Sequence, residues 1–391
     1  MMDCVLQDDL QKRTESVQDA IRETGMDGCL LGVDVNLYYM TGRTFNGYYY
    51  LPVDGRPYRF VKRPNNLQGK QIIQIRKPEQ ITDFFLSEGI PFPRKLLLEI
   101  DEMPYSECIR LQMAFQMPEL GNATTLMRRV RTIKTPWEIA QLRLSARQHA
   151  AAYATIPSCF RPGMTDIDFQ IEIERQMRLH GSIGVFHAFG LNMDIFMGSV
   201  LTGDNAGAAS PFDFALGGNG LTPLCPVGAN GTLLKEGMAV MVDMAGNFTP
   251  YMTDMTRVFS IGRLPEMAYR AHRVALDIQE ELMQVARPGY PCAAMYHKAL
   301  ARVEKEGLKD YYMGTGQQAK FVGHGIGLHI NEPPVFTPRS EEVLLPDMAF
   351  ALEPKFVIPD VGAVGIENSF LVTETGIEKL TLFEESIIPV D

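Results

Sequence analysis

The sequence predicts an α+β chain in two parts, a smaller N-terminal α/β domain over residues 1–129 and a larger α+β domain over 130–391. Three observations predict it. Short strand-like and helical runs alternate through the first part, the pattern of a small sheet covered by helices. The character changes near Met127–Trp137, where a strong helix start appears. Beyond it, a pair of helices followed by strands occurs twice in the same order, which implies a pseudo-symmetric domain.

In the first part, Asp27–Leu31 reads as a strand, and Tyr48–Leu51 and Tyr58–Val61 flank a turn at Asp54–Gly55. Ile81–Ser87 has helical spacing and Lys95–Ile100 is a further strand. The second part opens on Thr135-Pro136-Trp137-Glu138: threonine as N-cap, proline at the first helical position, glutamate closing a capping box. This helix is expected to run to about Ser158, where Arg161-Pro162-Gly163 stops it. The next starts at Thr165, with Asp166 and Asp168 favourable in its first turn, and ends at Gly181. Strands follow at Val200–Thr202, Ala239–Asp243 and Tyr251–Ile261. The order recurs with helices from Pro265 and Pro291, ending at Arg287-Pro288-Gly289 and Gly307. Strands then follow at Phe321–His329, Met348–Val357 and Gly362–Val372.

Composition narrows the class. An apolar share of 46% and a mean hydropathy of −0.07 describe a globular protein. The net charge of −10 argues against nucleic acid and anionic membranes as partners. The basic run Arg128, Arg129, Arg131, Lys134 is short and reads as a solvated stretch. The polar, acidic opening has no secretory character, and no apolar run reaches spanning length. The six cysteines, Cys4, Cys29, Cys108, Cys159, Cys225 and Cys292, show no paired spacing and read as reduced thiols of a cytoplasmic protein.

Chemistry concentrates in the second part. Asp243 ends the apolar run Val240-Met241-Val242, and Asp254 interrupts a second strand eleven residues on. A hairpin brings the two together, and like charges that close need a cation; on their own the pair also fits turn or cap residues. His324 lies between Gly323 and Gly325, which allow close backbone packing. Glu353 and Glu367 sit in the apolar stretches Ala349-Phe350-Ala351-Leu352 and Val364-Gly365-Ile366. Four carboxylates and an imidazole in buried β context demand neutralisation. Arg257 and Lys355, the basic residues near them, are too few, whereas divalent ions suffice.

The order VDMAG…TDMTRVF, GHGIGL…NEPP, LEP and GIENSFLVT resembles the metallopeptidase family of the pita-bread fold, which includes methionine aminopeptidase, aminopeptidase P, prolidase and creatinase. The likeness covers about Arg131 to Val372 and extends weakly to Asn36-Leu37-Tyr38-Tyr39-Met40-Thr41-Gly42. It implies a pita-bread catalytic domain behind a creatinase-type, ribonuclease H-like N-terminal domain. It implies two divalent ions (Mn, Co, Fe or Zn). Asp243 would hold one ion, Asp254 and Glu367 would bridge both, and His324 and Glu353 would hold the second. A metal-bridging hydroxide would attack an amide, with Glu353 as proton shuttle. A homodimer and a small peptide or small-molecule substrate, of the Xaa-Pro dipeptide kind, are implied as well.

The substrate side departs from the family. Ser210 and Asn331 stand where peptidases carry histidine, and Gly365 stands where proline-specific members often carry arginine. His329, two residues before Asn331 and on its face if the segment is a strand, and His187 are the imidazoles that could compensate. The loop Ser210–Pro226 is either a wall of the pocket or a surface insertion. Two other readings follow: a non-peptidase member acting on a small C–N or C–S substrate, and a metal-stabilised binding protein without turnover.

Overall fold

The computed structural model describes all residues except 1, 70, 191–195, 213 and 391, and all side chains but those and residues 2–5. The chain divides into two compact units, Met1–Arg131 and Thr132–Asp391.

In the first unit, strands β1 (Gly28–Leu31), β2 (Asn46–Pro52), β3 (Tyr58–Arg63), β4 (Ile72–Gln74), β5 (Lys95–Leu98) and β6 (Glu119–Asn122) form one mixed sheet in the order β4-β3-β2-β1-β5-β6. Five helices accompany it: α1 (Met2–Thr24), α2 (Asp34–Thr41), α3 (Gln80–Glu88), α4 (Tyr105–Ala114) and α5 (Ala123–Val130). Aromatic side chains from alternate strand positions, Tyr48, Tyr50 and Phe60, meet Phe85 and Phe115 in its core.

The basic run is a solvated stretch only in part: Arg129 is exposed, whereas Arg131 and Lys134 are buried. Arg131 is buried and hydrogen-bonded to the buried Asn36 side chain. Arg129 pairs with Glu23 at 3.0 Å. In the second unit, Lys134 forms a fully buried pair with Glu332 at 3.0 Å. A run of like charge can be used one residue at a time in different partnerships, and a sequence shows none of those partners.

The second unit begins with α6 (Pro136–Tyr153), whose Thr135 and Glu138 make both bonds of the capping box. It ends earlier than the sequence suggested. Pro157 disfavours helical backbone at the residue before it, and Ile156–Cys159 is a 3₁₀ turn instead. Helix α7 (Asp166–Leu179) is capped by Thr165 and followed by Gly181 at φ 98°. Both helices lie against β7 (Gly198–Thr202), β8 (Ala239–Gly246) and β9 (Thr253–Ile261), and their apolar faces share one core. Helices α8 (Glu266–Val285) and α9 (Cys292–Lys305) do the same for the second set of strands. These are β10 (Gly323–Gly325), β11 (Glu332–Val335), β12 (Ala349–Leu352), β13 (Lys355–Ile358), β14 (Gly362–Gly365), β15 (Asn368–Val372) and β16 (Ile377–Lys379).

Three of the expected strands are shorter than the sequence pattern. Residues 327–331 form bends, so His329 and Asn331 do not share a strand face. The long runs 348–357 and 362–372 each break in two, at Glu353-Pro354 and at Ile366-Glu367. Leu352 pairs within the β11-β10-β12-β15-β16 sheet, while Lys355 pairs with Gly365 in a separate β13–β14 ladder. The change of ladder falls at the two glutamates and turns both inward.

Among the described residues, the free thiols Cys29, Cys108, Cys159 and Cys292 are buried and Cys225 is partly so; the Cys4 side chain lies outside the described set. No helix among them is long and apolar enough to cross a membrane.

Candidate metal centre

Strands β8 and β9 pair antiparallel with Asp243 opposite Thr256 and Asp254 opposite Ala245. One hairpin therefore carries both aspartates two residue steps apart on the same ladder. His324 is the central residue of β10, opposite Ala351 of β12. Its glycine neighbours are required by the packing: a Cβ at Gly323 would collide with the Ala351 carbonyl, and one at Gly325 with the Pro333 carbonyl. Glu353 follows β12 directly and Glu367 precedes β15 directly.

The five side chains meet at one end of a cavity. Asp254, His324 and Glu367 each offer a ligand atom, and these lie within 4.8 Å of one another. His324 Nε2 stands 3.3 Å from Glu353 Oε1 and 3.8 Å from Asp254 Oδ2. Asp243, Asp254, His324, Glu353 and Glu367 all line the cavity.

One residue that the sequence reading discounted completes the cluster. Lys355 Nζ donates to Glu353 Oε2 at 2.7 Å, and to Asp243 Oδ2 and Glu367 Oε2 at 2.8 Å each. It thus pairs with three of the four carboxylates, where basic residues had seemed too few. Arg257 contributes to none of this. Its guanidinium donates to the carbonyls of Thr256, Glu367, Phe383 and Glu384 and to Asn368 Oδ1.

Two hydroxyls also belong to the centre. Thr256 Oγ1 donates to Glu367 Oε2 at 2.8 Å, and Ser369 Oγ accepts from the Asp254 N–H at 2.8 Å. Both were readable from the period-two spacing, since Thr256 is two residues from Asp254 and Ser369 two from Glu367. The same spacing relates Lys355 to Glu353.

The electrostatics follow from burial and these contacts. Burial, with the neighbouring Asp243 charge, raises the Asp254 carboxyl to about 7. Burial, with Asp254 and Glu353 close by, holds Glu367 far above the usual carboxylate range. Glu353 behaves oppositely: burial opposes its charge, but Lys355 and His324 outweigh it and lower the group to about 2. Burial likewise opposes the charged form of His324, and the Glu353 hydrogen bond and charge overcome it, raising the ring to about 9. The protonated ring and the raised carboxyls describe a site short of positive charge.

The donor set fits a divalent ion on its His324 side. Glu367 Oε1 is buried and has no hydrogen-bond partner, a costly state for a carboxylate oxygen unless a cation meets it. Asp254, His324, Glu353 and Glu367 would hold that ion, with mostly oxygen donors and one imidazole.

The cavity above the centre, of about 110 Å³, has apolar walls that include Phe186, Ala188, Phe214, Leu216, Phe321 and Ile330. Of the substrate residues expected from sequence, Asn331 lines it. Its amide accepts from the Phe189 N–H at 2.7 Å and donates to the Phe189 carbonyl at 2.8 Å, clasping the segment that carries Phe186 and Ala188. Ser210, His187 and His329 are not among the described lining residues. Ser210 Oγ accepts from the Phe212 N–H at 3.2 Å. His187 is exposed, with its carbonyl accepting from Ile330. His329 is buried beside the Phe189 ring. Phe214, Ala215 and Leu216 place part of the loop Ser210–Pro226 in the cavity wall.

Gly365 cannot host the arginine of proline-specific members in this backbone. Its φ is 148°, and a Cβ there would stand 2.5 Å from the Pro354 carbonyl oxygen and 2.7 Å from Lys355 Cα.

Four carboxylates and one imidazole line an apolar-walled cavity, set in two αα-then-β halves, as a cluster that could hold a divalent ion. Residues 140–374 match the model of Metallopeptidase family M24, and residues 13–133 match that of the Creatinase/Prolidase N-terminal domain. The chain belongs to metallopeptidase family M24 and is a hydrolase of that type. It is similar to the uncharacterized peptidase YqhT of Bacillus subtilis, at 24% identity over 96% of this chain and 99% of that protein. Its fold is that of an Xaa-Pro dipeptidase from Bacillus anthracis, with TM-score 0.80, 25% identity, and coverage of 97% and 99% of the two chains. Prolidase from Pyrococcus furiosus shares the fold at TM-score 0.75 and 21% identity, over 94% of this chain and 99% of that one.

Proposed function

We propose that the chain cleaves the amide bond of a short peptide, with Xaa-Pro dipeptides the first class to try, at the centre formed by Asp243, Asp254, His324, Glu353 and Glu367. The observation that carries this reading is the convergence of those five residues beneath an apolar cavity. Asp254, His324, Glu353 and Glu367 would hold a divalent ion of the Mn, Co, Fe or Zn class, which would supply Lewis acidity toward a substrate carbonyl oxygen. Of the two ions implied by the family resemblance, this reading keeps that one.

The protein's own groups do the rest. Glu353 lines the cavity between Lys355 and His324 and is the group assigned to accept and pass on the proton of the attacking water. Phe186, Phe214 and Phe321 exclude water and receive an apolar side chain next to the scissile bond. Asn331 holds the Phe186 wall in place through Phe189. Among the residues expected to act on substrate, Glu353 and Asn331 keep roles; Ser210, His187 and His329 act, in this reading, only through the walls they support. The homodimer implied by the resemblance is retained as part of the proposal, and a monomeric mass by light scattering would remove it.

A second reading, a non-peptidase reaction at a small C–N bond, is favoured by one observation. Asn331 and Gly365 both serve local packing at positions where peptidases carry substrate-handling residues. A screen of Xaa-Pro dipeptides, longer N-terminal peptides and small amides with added Mn²⁺ separates the two. Turnover of dipeptides with an apolar first residue, lost in Glu353→Gln, supports the first reading. Turnover of small amides alone supports the second.

A further inference from the structure

Each proton of the Lys355 ammonium meets an oxygen of a different carboxylate: Glu353 Oε2 at 2.7 Å, and Asp243 Oδ2 and Glu367 Oε2 at 2.8 Å. An ammonium has three donors, so its bonding capacity is full. The side chain is 1% exposed. Three carboxylates from three separate segments, one on β8, one after β12 and one before β15, face a single buried point. That is the arrangement of a cation site, and its occupant is a side chain of the protein.

The backbone is built for this placement. Lys355 opens β13 opposite Gly365, and a Cβ at Gly365 would come within 2.7 Å of Lys355 Cα. The bare glycine lets the β13–β14 hairpin close, which fixes where the lysine stem begins.

The centre thus has two halves that share two glutamates. Glu353 gives Oε2 to the ammonium and places Oε1 3.3 Å from His324 Nε2. Glu367 gives Oε2 to the ammonium, while its buried Oε1 has no hydrogen-bond partner. Asp254, His324 and Glu367 each offer a ligand atom within 4.8 Å of the others, and neither Asp254 nor His324 is among the partners of the Lys355 ammonium. A second divalent ion on the Asp243 side would have to take oxygens already engaged and expel a buried lysine.

We infer that Lys355 is the resident cation of the Asp243 half, and that the chain therefore takes up one divalent ion, on the His324 half, instead of two. This rests on the metal-dependent reading above and specifies its stoichiometry. With His324 neutral, four carboxylates and one ammonium leave a charge of −3, which one divalent ion reduces to −1.

The test is a count of Mn²⁺ per chain. The full-length protein is stripped with chelator, reloaded with excess MnCl₂, freed of unbound ion by gel filtration and analysed by mass spectrometry, with calorimetric titration by Mn²⁺ in parallel. Wild type is expected to hold one ion per chain and Lys355→Gly two, because removal of the side chain frees three oxygens. Lys355→Arg, which keeps a cation, is expected to stay at or below one. Two ions in wild type overturn the lysine assignment while leaving the metal-dependent reading intact. No ion in wild type overturns both. If Lys355→Gly fails to fold, the wild-type count decides alone.

Discussion

Replacing Lys355 by methionine, in chelated protein, removes the one cation shared by the buried Glu353 and Glu367 and the partly buried Asp243. Each ammonium–carboxylate contact of 2.7–2.8 Å has a gross Coulomb energy of about 6 kcal/mol at an effective dielectric constant of ~20. Desolvation of the four groups offsets most of that sum, several kcal/mol per ion. The loss on substitution is set differently. Asp243, Glu353 and Glu367 remain packed together. Because Glu367 is already held far above the usual carboxylate range, the chain escapes the added repulsion by protonating Glu353, which Lys355 had held ionised. For a carboxyl that ordinarily titrates near 4.3, protonation at pH 7 costs about 4 kcal/mol, which agrees with the roughly 3–5 kcal/mol typical of breaking a buried pair. Trp137, the only tryptophan, lies in the catalytic unit beside Tyr251, so its fluorescence follows that unit alone. Urea titration in excess chelator is expected to show the variant about 3–5 kcal/mol less stable than wild type. Saturating Mn²⁺ then adds about 2.7 kcal/mol at 100 times its dissociation constant. A variant as stable as wild type in chelator would refute the view of Lys355 as charge-compensating.

Other outcomes follow from the same geometry. Gly365→Arg is expected to cost about 2 kcal/mol or more, through the strain of φ 148° in a non-glycine residue, and to confer no proline preference; denaturation and a dipeptide series check both. Thr256→Val removes one hydrogen bond to Glu367 and is expected to cost about 1 kcal/mol by denaturation. Asn331→Ala releases the Phe189 clasp and is expected to raise KM several-fold with kcat within a factor of two in steady-state assays. Buried His149, lowered to about 3 by burial and by nearby Arg257, stays neutral in the folded protein while the unfolded chain takes up its proton near pH 6.5. Its contribution is therefore complete above pH 6.5 and is lost as pH falls from there toward 3, at up to about 1.4 kcal/mol per pH unit. His149→Gln is expected to flatten that slope in denaturation series at pH 4 to 6.

Much of this molecule was legible in the sequence, for reasons that differ by residue. Thr135 and Thr165 announce their helices because capping is local chemistry. The five carboxylate and imidazole positions stand out because charge inside apolar β runs has to be neutralised. The sequence could not show that strand pairing changes ladder at Glu353-Pro354 and Ile366-Glu367. Pro354 and the polar run Glu367-Asn368-Ser369 interrupt both hydrophobic runs, but which ladder each half then joins depends on distant partner strands that no local pattern names. That change turns the glutamates inward and starts β13 at Lys355. Lysine is ordinarily a solvated residue, so Lys355 was weighed as a charge in a count instead of as a member of the site, although it lies two positions from Glu353. Asn331 lines the cavity, and its bond to Phe189 spans a contact between distant segments that no local pattern encodes.

The most direct test of a centre that combines one divalent ion with a built-in ammonium is anomalous diffraction at the manganese edge from crystals grown with Mn²⁺. One peak per chain is predicted, bounded by Asp254, His324, Glu353 and Glu367, with Lys355 Nζ still within hydrogen-bond distance of Asp243. Two peaks, with the lysine displaced from the carboxylates, or no peak at all, would contradict it.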